Sequence, residues 1–589
     1  MTMNLLSLLL KYIPFHGTLI FKNDYTIAND VTQNLNPASH IDPMKKPLKK
    51  LLATKIQTSE EAETIRYLQE EALDHSSDEP VGSLRSTLAP TISPSFVESP
   101  SSPLFPLNLT LRRNSTQNTS NQTGVPNICD SDVNRTSAIR QIVQPYSIDK
   151  DVLNDMFSSP KRALKWIAND DPLQVPVCNT TKLKQRYGLA LLYYDADGYM
   201  WIDQDGWLSE KNECEWYGIG CSEDGFVVTI DLVDNNLSGT IPNEIYIFSS
   251  MLHFSIPMNN IQGTIPTTLS RLSFISALDL FGNFMTGTLP ESIYLTDSLA
   301  LVEISSNNFE GSISPNIAKM KNLTRFWAAD NELTGSIPSE IGLISKLEQI
   351  ILYGNRLSGM VPTTIGSIQK NLDYLDLMFN SLAGKIPSQI YNATSLSGLF
   401  LSYNALSGSI QNRLGNLTNL KDLWLDNNFL SGSFPSTLGN LQSLDTILLN
   451  DNMLTRTIPS TIGLLEMVRN VGIHNNGFSG SIPSSFYDLE YLERAYLFNN
   501  SLTGTISPQI WNMQNLEDLY LYGNFFIGTI PGLSFDQILK SGLVEVILHD
   551  NDLTGEVPDS MCYLFLTDLV ADCRGPLPQV SCVCCSSCF

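Results

Sequence analysis

From about Phe226 onward, apolar and polar positions follow a pattern that returns at a fixed interval. Each copy reads Leu-x-Leu-x-x-Asn-x-Leu-x-Gly-x-Ile-Pro. Its asparagine falls at Asn235, Asn259, Asn283, Asn307, Asn331, Asn355, Asn380, Asn404, Asn428, Asn452, Asn476, Asn500, Asn524 and Asn551. The interval is 24 residues, with one of 25 and a last one of 27. Fourteen copies in register lie far beyond chance, and a period of this size marks a stacked repeat fold.

The Leu-x-Leu segment alternates, so it predicts a short strand with two apolar side chains inward and one residue outward. The asparagine sits where the strand turns. Its amide can satisfy backbone groups left unpaired by the turn, and successive asparagines can stack as a ladder. The following Leu and Ile face the interior, the Gly permits a tight bend and the Pro ends regular pairing. One copy cannot bury its apolar face, but fourteen share one core. With strands ~4.8 Å apart, the arc is on the order of 60 Å long. Some copies depart from the pattern. Arg456 stands where others have Gly, and Ser314, Gln411 and Ser507 stand where others have Pro. The last interval is lengthened around Phe535 to Ser541, which reads as a local insertion.

Outside the repeats the periodicity is lost. Residues 1–79 form an ill-defined region with one helix, opened by the capping box Thr58-Ser59-Glu60-Glu61 and running to about Asp74. Residues 80–128 are rich in Ser, Pro, Thr and Asn and read as a disordered linker. Residues 129–225 read as a helical N-terminal cap. Its apolar positions Ala138, Ile139, Ile142, Val143, Leu164, Trp166, Ile167 and Leu189 to Tyr194 fit short amphipathic helices. The repeats fill 226–560, and a Cys-rich cap closes 561–589.

Charge and cysteine usage narrow the class. The 589 residues carry 36 basic and 60 acidic side chains, a net −24, which argues against a nucleic-acid surface. The ten cysteines avoid the repeats. Cys129 and Cys178 precede them, Cys214 and Cys221 sit at their entry, and Cys562, Cys573, Cys582, Cys584, Cys585 and Cys588 crowd the end. An even count confined to the ends predicts disulfide-stapled caps and an oxidising compartment. Eleven Asn-X-Ser/Thr sequons agree, among them Asn108, Asn114, Asn118, Asn121, Asn322, Asn392, Asn416 and Asn499. Targeting does not. The apolar run Leu5-Leu6-Ser7-Leu8-Leu9-Leu10 is interrupted by Lys11 and lacks a charged leader and a small-residue cleavage site. The start is an atypical signal, the true start is missing, or the protein is not exported. No run of eighteen apolar residues predicts a membrane span.

The copies Leu237-Ser238-Gly239-Thr240-Ile241-Pro242, Leu333-Thr334-Gly335-Ser336-Ile337-Pro338 and Leu553-Thr554-Gly555-Glu556-Val557-Pro558 resemble the plant-type leucine-rich repeat. That subclass occurs in the ectodomains of plant receptor-like kinases, in receptor-like proteins and in polygalacturonase inhibitors. Cys214-Glu215-Trp216-Tyr217-Gly218-Ile219-Gly220-Cys221 resembles the end of their N-terminal cap. Gln185 to Tyr194 and the Cys-rich end resemble repeat proteins predicted in diatoms and related algae. The resemblance covers roughly residues 160–589. It implies an α/β solenoid with a parallel sheet on its concave side and ligand recognition there. No kinase signature and no membrane segment follows the repeats, so a signalling kinase is not implied.

On such a solenoid the residue between the two strand leucines points to the concave face. In order these are Asp231, Ser255, Asp279, Glu303, Trp327, Ile351, Asp376, Phe400, Trp424, Leu448, Gly472, Tyr496, Tyr520 and Ile547. The first four are polar or acidic; from Trp327 onward large apolar and aromatic residues dominate, with Tyr353, Phe379, Tyr403, Phe498 and Tyr522 at nearby outward positions. A wide exposed aromatic ridge is expected to bind a ligand, since Tyr and Trp give large contact area at small entropic loss. The bland alternative is that aromatics suit strands and pack on strand neighbours.

Other chemistry is weaker. Asp195-Ala196-Asp197-Gly198 and Asp203-Gln204-Asp205-Gly206 hint at calcium, but a full EF-hand loop needs a Glu where Gly206 stands, and Asp-Gly is an ordinary turn. The terminal cysteines can be read as a zinc site, although a disulfide cap over the solenoid's apolar end suits them better. Zincin, nucleophile-elbow and phosphate-loop motifs are missing, and His253, His474 and His549 are isolated. The expectation is therefore a non-catalytic, extracellular or cell-surface recognition protein without cofactor or metal, binding a peptide, protein or glycan. A structural or adhesive matrix protein is the alternative, and a cytosolic scaffold remains if export fails.

Overall fold

The computed structural model describes residues 134–147, 149–564, 566–573 and 579–589, all within the chain's second unit, 122–589. The expected N-terminal helix, the linker, Cys129 and the sequons Asn108, Asn114, Asn118 and Asn121 lie outside the described residues.

In each copy a short strand covers the first strand leucine and its neighbours, from Val227–Asp231 through Arg325–Trp327 to Glu545–Ile547, paired in parallel with the equivalent residues of the next copy. Asp568–Ala571 and Ser587–Cys588 continue the sheet beyond the last repeat. At the other end Ile219–Cys221 pairs antiparallel, so the sheet has 17 strands. The strand leucines are buried, as are the Leu and Ile that follow the asparagine, for example Leu423, Leu425, Leu430 and Phe434. They join one continuous core from Ile139 to Val580.

The asparagine ladder runs through backbone rather than from amide to amide. Asn404 Nδ2 donates to Leu377, Leu401 and Ser402 carbonyls at 2.9–3.2 Å, and its Oδ1 accepts the Leu382 N–H at 2.9 Å. Each amide thus ties a strand end to the copy before it.

One feature has little signature in the sequence pattern. The Leu-x-Gly segment after the asparagine forms a second line of short parallel pairings, such as Ala405–Gly408 with Phe429–Ser433. The glycine there is left-handed, with φ of 80° at Gly408 and 84° at Gly432. Arg456 adopts that conformation too, at φ 72°. After the proline the copies close through a short 3-10 turn, except the one that ends in Pro531. Where Pro is replaced, Ser314 and Ser507 cap that turn by accepting the N–H of Asn316 and Gln509. The insertion in the last interval is a helix, Phe535–Lys540, opened by a capping box between Ser534 and Gln537.

The N-terminal cap carries helices Arg135–Val143, Ser159–Lys165 and Thr180–Asp195. Its centre is Arg186, fully buried. The guanidinium pairs with Asp171 at 2.5 Å, donates to Ser209 and Lys211 carbonyls, and lies over the Trp166 and Trp216 rings at 5.3 and 4.9 Å. Burying a charge this deeply is tolerable because it is paired and its donors are satisfied. Cys214 and Cys221 are bonded beside Trp216. The aspartates weighed for calcium are turn formers: Asp195 and Asp197 approach Thr240 and Ser238, Asp203 accepts the Asp205 N–H, and Asp205 pairs with Lys211.

Candidate ligand-binding surface

The ten aromatic candidates differ in exposure, which corrects the expectation of one wide exposed ridge. Trp327, Phe400 and Phe498 are covered, with at most 8% of their surface exposed. Of the ten only Phe379 and Tyr403 are exposed, by 46% and 38%, and Tyr353, Trp424, Tyr496, Tyr520 and Tyr522 are half-buried. Neighbouring copies cover them. Phe400 lies between Tyr374 and Trp424 at 4.9 and 5.2 Å. His474, Phe498, Tyr522, His549 and Phe589 stack face to face in one file, with centroids 4.0–4.7 Å apart.

Polar tips are engaged in the downstream half. Tyr496 donates to Asp518 at 2.9 Å and Tyr520 donates to Glu545. Arg469 reaches Asp445 and Glu493, and Arg494 reaches Glu517 and Asp518, at 3.4–3.9 Å. Further upstream, the inner face holds groups with no such partner. Arg325 Nε, Trp327 Nε1, Gln349 Oε1 and Trp424 Nε1 are buried, and none meets an acceptor or donor among the described residues. Arg325 and Gln349 are direct partners on adjacent strands.

Carboxylates on the same face have lost much of their solvent. Glu303 is pushed up to about 8, Asp376 to about 7 and Asp279 to about 6, in each case mainly by burial. Each is held by accepting a backbone N–H two residues on, from Ser305, Met378 and Phe281. His474 is pushed down to about 4 by burial and stays neutral. The repeat pattern placed Asp279, Glu303 and Asp376 on this face but gave no hint of their burial.

The terminal cysteines pair as Cys562–Cys584, Cys573–Cys588 and Cys582–Cys585. Cys178 is also disulfide-bonded, and no described cysteine is free. Among the described residues no helix is long and apolar enough to cross a membrane. Of the sequons, Asn322 and Asn416 are exposed and Asn392 is half-buried.

The Leucine Rich Repeat family model matches residues 419–441. These residues contribute the strand Asp422–Trp424 and its ladder asparagine, Asn428. This is a leucine-rich-repeat solenoid. Among curated proteins of Arabidopsis thaliana, the solenoid is similar to the receptor-like kinase TMK4, 41% identical over 61 residues, and to the receptor-like protein kinase HSL1, 34% identical over 74 residues. Those segments are 10% and 12% of this chain, and only 6% and 7% of the two kinases. Among solved structures it is similar to a TDR receptor, with 30% identity and a TM-score of 0.53 over 58% of this chain and 63% of that one. The PEPR1–AtPEP1 structure gives 28% and 0.50 over 68% and 62%. The chain therefore spans less than two thirds of either receptor structure.

Proposed function

We propose that this solenoid is a non-catalytic recognition protein that binds an extended peptide or protein segment along its inner sheet, between Trp327 and Tyr522. The observation that carries the reading is the set of unpartnered polar atoms on Arg325, Trp327, Gln349 and Trp424. A buried indole N–H without an acceptor costs about 1–3 kcal/mol, and turning the indole to meet the carbonyl of a peptide laid across the sheet relieves that cost. The half-buried rings of Trp424, Tyr496 and Tyr520 add contact area at this point and further along the same sheet. The similarity to a TDR receptor and to PEPR1 in its pairing with AtPEP1 supports the same direction. The chain's net charge of −24 favours a ligand with basic side chains.

We also place the protein outside the cytosol or at the cell surface. Disulfides at both ends of the solenoid and exposed sequons suit an oxidising, glycosylating compartment.

The test is a peptide-display selection on the disulfide-bonded protein, followed by calorimetry of selected peptides. Trp424→Phe, which keeps the ring and removes the N–H, is expected to weaken them about fivefold. Trp424→Ala with Tyr496→Ala should keep the fold and abolish binding. Unchanged affinity in the double variant would reject the reading. Non-saturating, salt-sensitive association with wall material would replace it with a structural or adhesive role.

A further inference from the structure

Immediately before each ladder asparagine the chain passes through left-handed backbone. In four successive copies the residues there are Phe379, Tyr403, Asn427 and Asp451, with φ between 50° and 53°. Asn and Asp suit such a turn, whereas an aromatic side chain is strained in it. The turn itself has no need of a ring, yet Phe379 and Tyr403 hold it in adjacent copies and stack at 4.4 Å and 16°.

Beside this pair lies an open groove of about 560 Å³, the size of a ligand site. It crosses four copies, from Ser381 to Asp451, a length of roughly 14 Å. Two rings line it, Tyr403 and Phe429, and the short side chain of Ala405 leaves the space between copies open. Phe429 is 54% exposed, and no other aromatic ring touches it among the described residues.

The polar groups of the groove define what it can hold. The ladder asparagines beneath it spend their amides on backbone groups. The hydroxyls of Ser381 and Tyr403 meet no partner among the described residues. Asn427 gives its amide nitrogen to Asp426 at 2.9 Å and keeps its oxygen free to accept. Asp451 accepts from Asn450 and Asn475 at 2.9 and 2.8 Å, and a carboxylate has lone pairs for more donors. Among the described residues that line the groove, Asp451 alone is charged. The lining is therefore rich in acceptors, apolar on its ring faces and without a cation.

We propose that this groove binds a neutral polysaccharide chain, one pyranose unit lying with its C–H face on Phe429. The negative face of an aromatic ring attracts polarised C–H groups. Equatorial hydroxyls radiate in the plane of the sugar, so they reach groups beside Phe429 rather than opposite it. Asn427 stands two residues earlier in the same copy, and Tyr403 and Asp451 stand in the copies on either side. Those groups accept the hydroxyl protons. A uronate or phosphate would instead meet Asp451 with like charge. An open groove that crosses four copies suits a passing chain better than a compact molecule. The site is separate from the inner-sheet rings and does not depend on the peptide reading.

The probes are cellohexaose, laminarihexaose and mannohexaose, with trigalacturonate as the anionic control. Binding is read by saturation-transfer NMR on the whole disulfide-bonded protein. Saturable transfer to the axial C–H protons of at least one hexaose is expected, and little to trigalacturonate. It should persist at about 1 M salt, because a neutral ligand has no charge to screen. Phe429→Ala should weaken binding about tenfold. Ser381 and Ala405 hold the equivalent position in the two preceding copies, so a small residue fits there. Tyr403→Phe, which keeps the ring and removes the hydroxyl, should weaken it about threefold. Circular dichroism checks that both variants are folded. Absence of saturable transfer to all three hexaoses overturns the proposal, as does equal affinity in wild type and Phe429→Ala. Transfer only to a branched oligomannose N-glycan would assign the groove to a glycoprotein and overturn the polysaccharide. Display-selected peptides that lose affinity in Phe429→Ala and are displaced by no hexaose would give the groove to a peptide and overturn it too.

Discussion

Asn428 Oδ1 accepts the Leu406 N–H of the preceding copy at 2.9 Å, while Asn428 Nδ2 donates to the Leu401 carbonyl of that copy at 3.0 Å. The same nitrogen also reaches the Leu425 and Asp426 carbonyls, so one buried side chain satisfies four backbone groups. Asn428→Ala therefore leaves the buried Leu406 N–H without its acceptor and takes one of two donors from the Leu401, Leu425 and Asp426 carbonyls. The expected loss is about 2–4 kcal/mol, read as a lower denaturation midpoint. Asn428→Asp should be at least as harmful, because its donors become acceptors facing carbonyls.

This amide explains why so much of the fold was legible. A residue that must serve four backbone groups admits few substitutes, so Asn recurs at every copy and sets the register of the strands around it. The Leu-Thr-Gly segment was legible only as a bend. Its second line of pairing depends on a left-handed glycine beside small polar residues, which carries no apolar alternation. The helix Phe535–Lys540 had a readable signal in Ser534 and Gln537, three residues apart, that the repeat pattern obscured. The binding surface was half legible. Period alone placed Trp327, Phe400 and Phe498 on the inner face, but exposure depends on the adjacent copy. Phe400 is covered by Tyr374 and Trp424, and Phe498 by His474 and Tyr522. Phe379 and Tyr403 became distinctive only through their backbone conformation.

Burial of Glu303 makes stability depend on pH. Its folded pKa, about 8, lies above the ~4.3 of an unfolded glutamate, so the folded chain holds the proton more tightly in between. The associated stabilisation is complete below about pH 4 and is lost as pH rises through about 8. Asp376, at about 7, acts in the same sense. Urea melts from pH 5 to pH 8.5 should show falling stability, by a few kcal/mol at most. Glu303→Gln should flatten that slope and raise the midpoint at the alkaline end. A slope unchanged by the substitution would mean that Glu303 ionises at no cost in the folded chain.

The C-terminal disulfides hold the last strands against the solenoid. Cys562–Cys584 closes a loop of 22 residues around Asp568–Ala571, which pairs with Glu545–Ile547. Replacing both cysteines by alanine should cost about 3 kcal/mol. In a stacked fold the damage stays near its source. Hydrogen exchange should accelerate in the amides of Glu545–Ile547 and the strand after it, while Ala277–Asp279 keeps its protection. Acceleration at both ends would show that the solenoid unfolds as one cooperative unit.

Arg456 gives the opposite kind of test, a gain. It holds φ 72° where Gly432 and Gly480 hold 84° and 76°, and its side chain is exposed. A left-handed arginine is strained, and its guanidinium makes no ion pair or hydrogen bond among the described residues that would offset the strain. Arg456→Gly removes a Cβ that the turn disfavours, although glycine gains entropy in the unfolded chain. The first effect is the larger at this φ, so a net gain of about 1 kcal/mol is expected. It should be seen as slower exchange of the Thr455 and Phe478 amides, which flank the pairing between Met453–Arg456 and Gly477–Gly480. A destabilised variant would instead mean that the arginine makes a compensating contact, and would direct attention to the outer rim as a second place where this chain meets a partner.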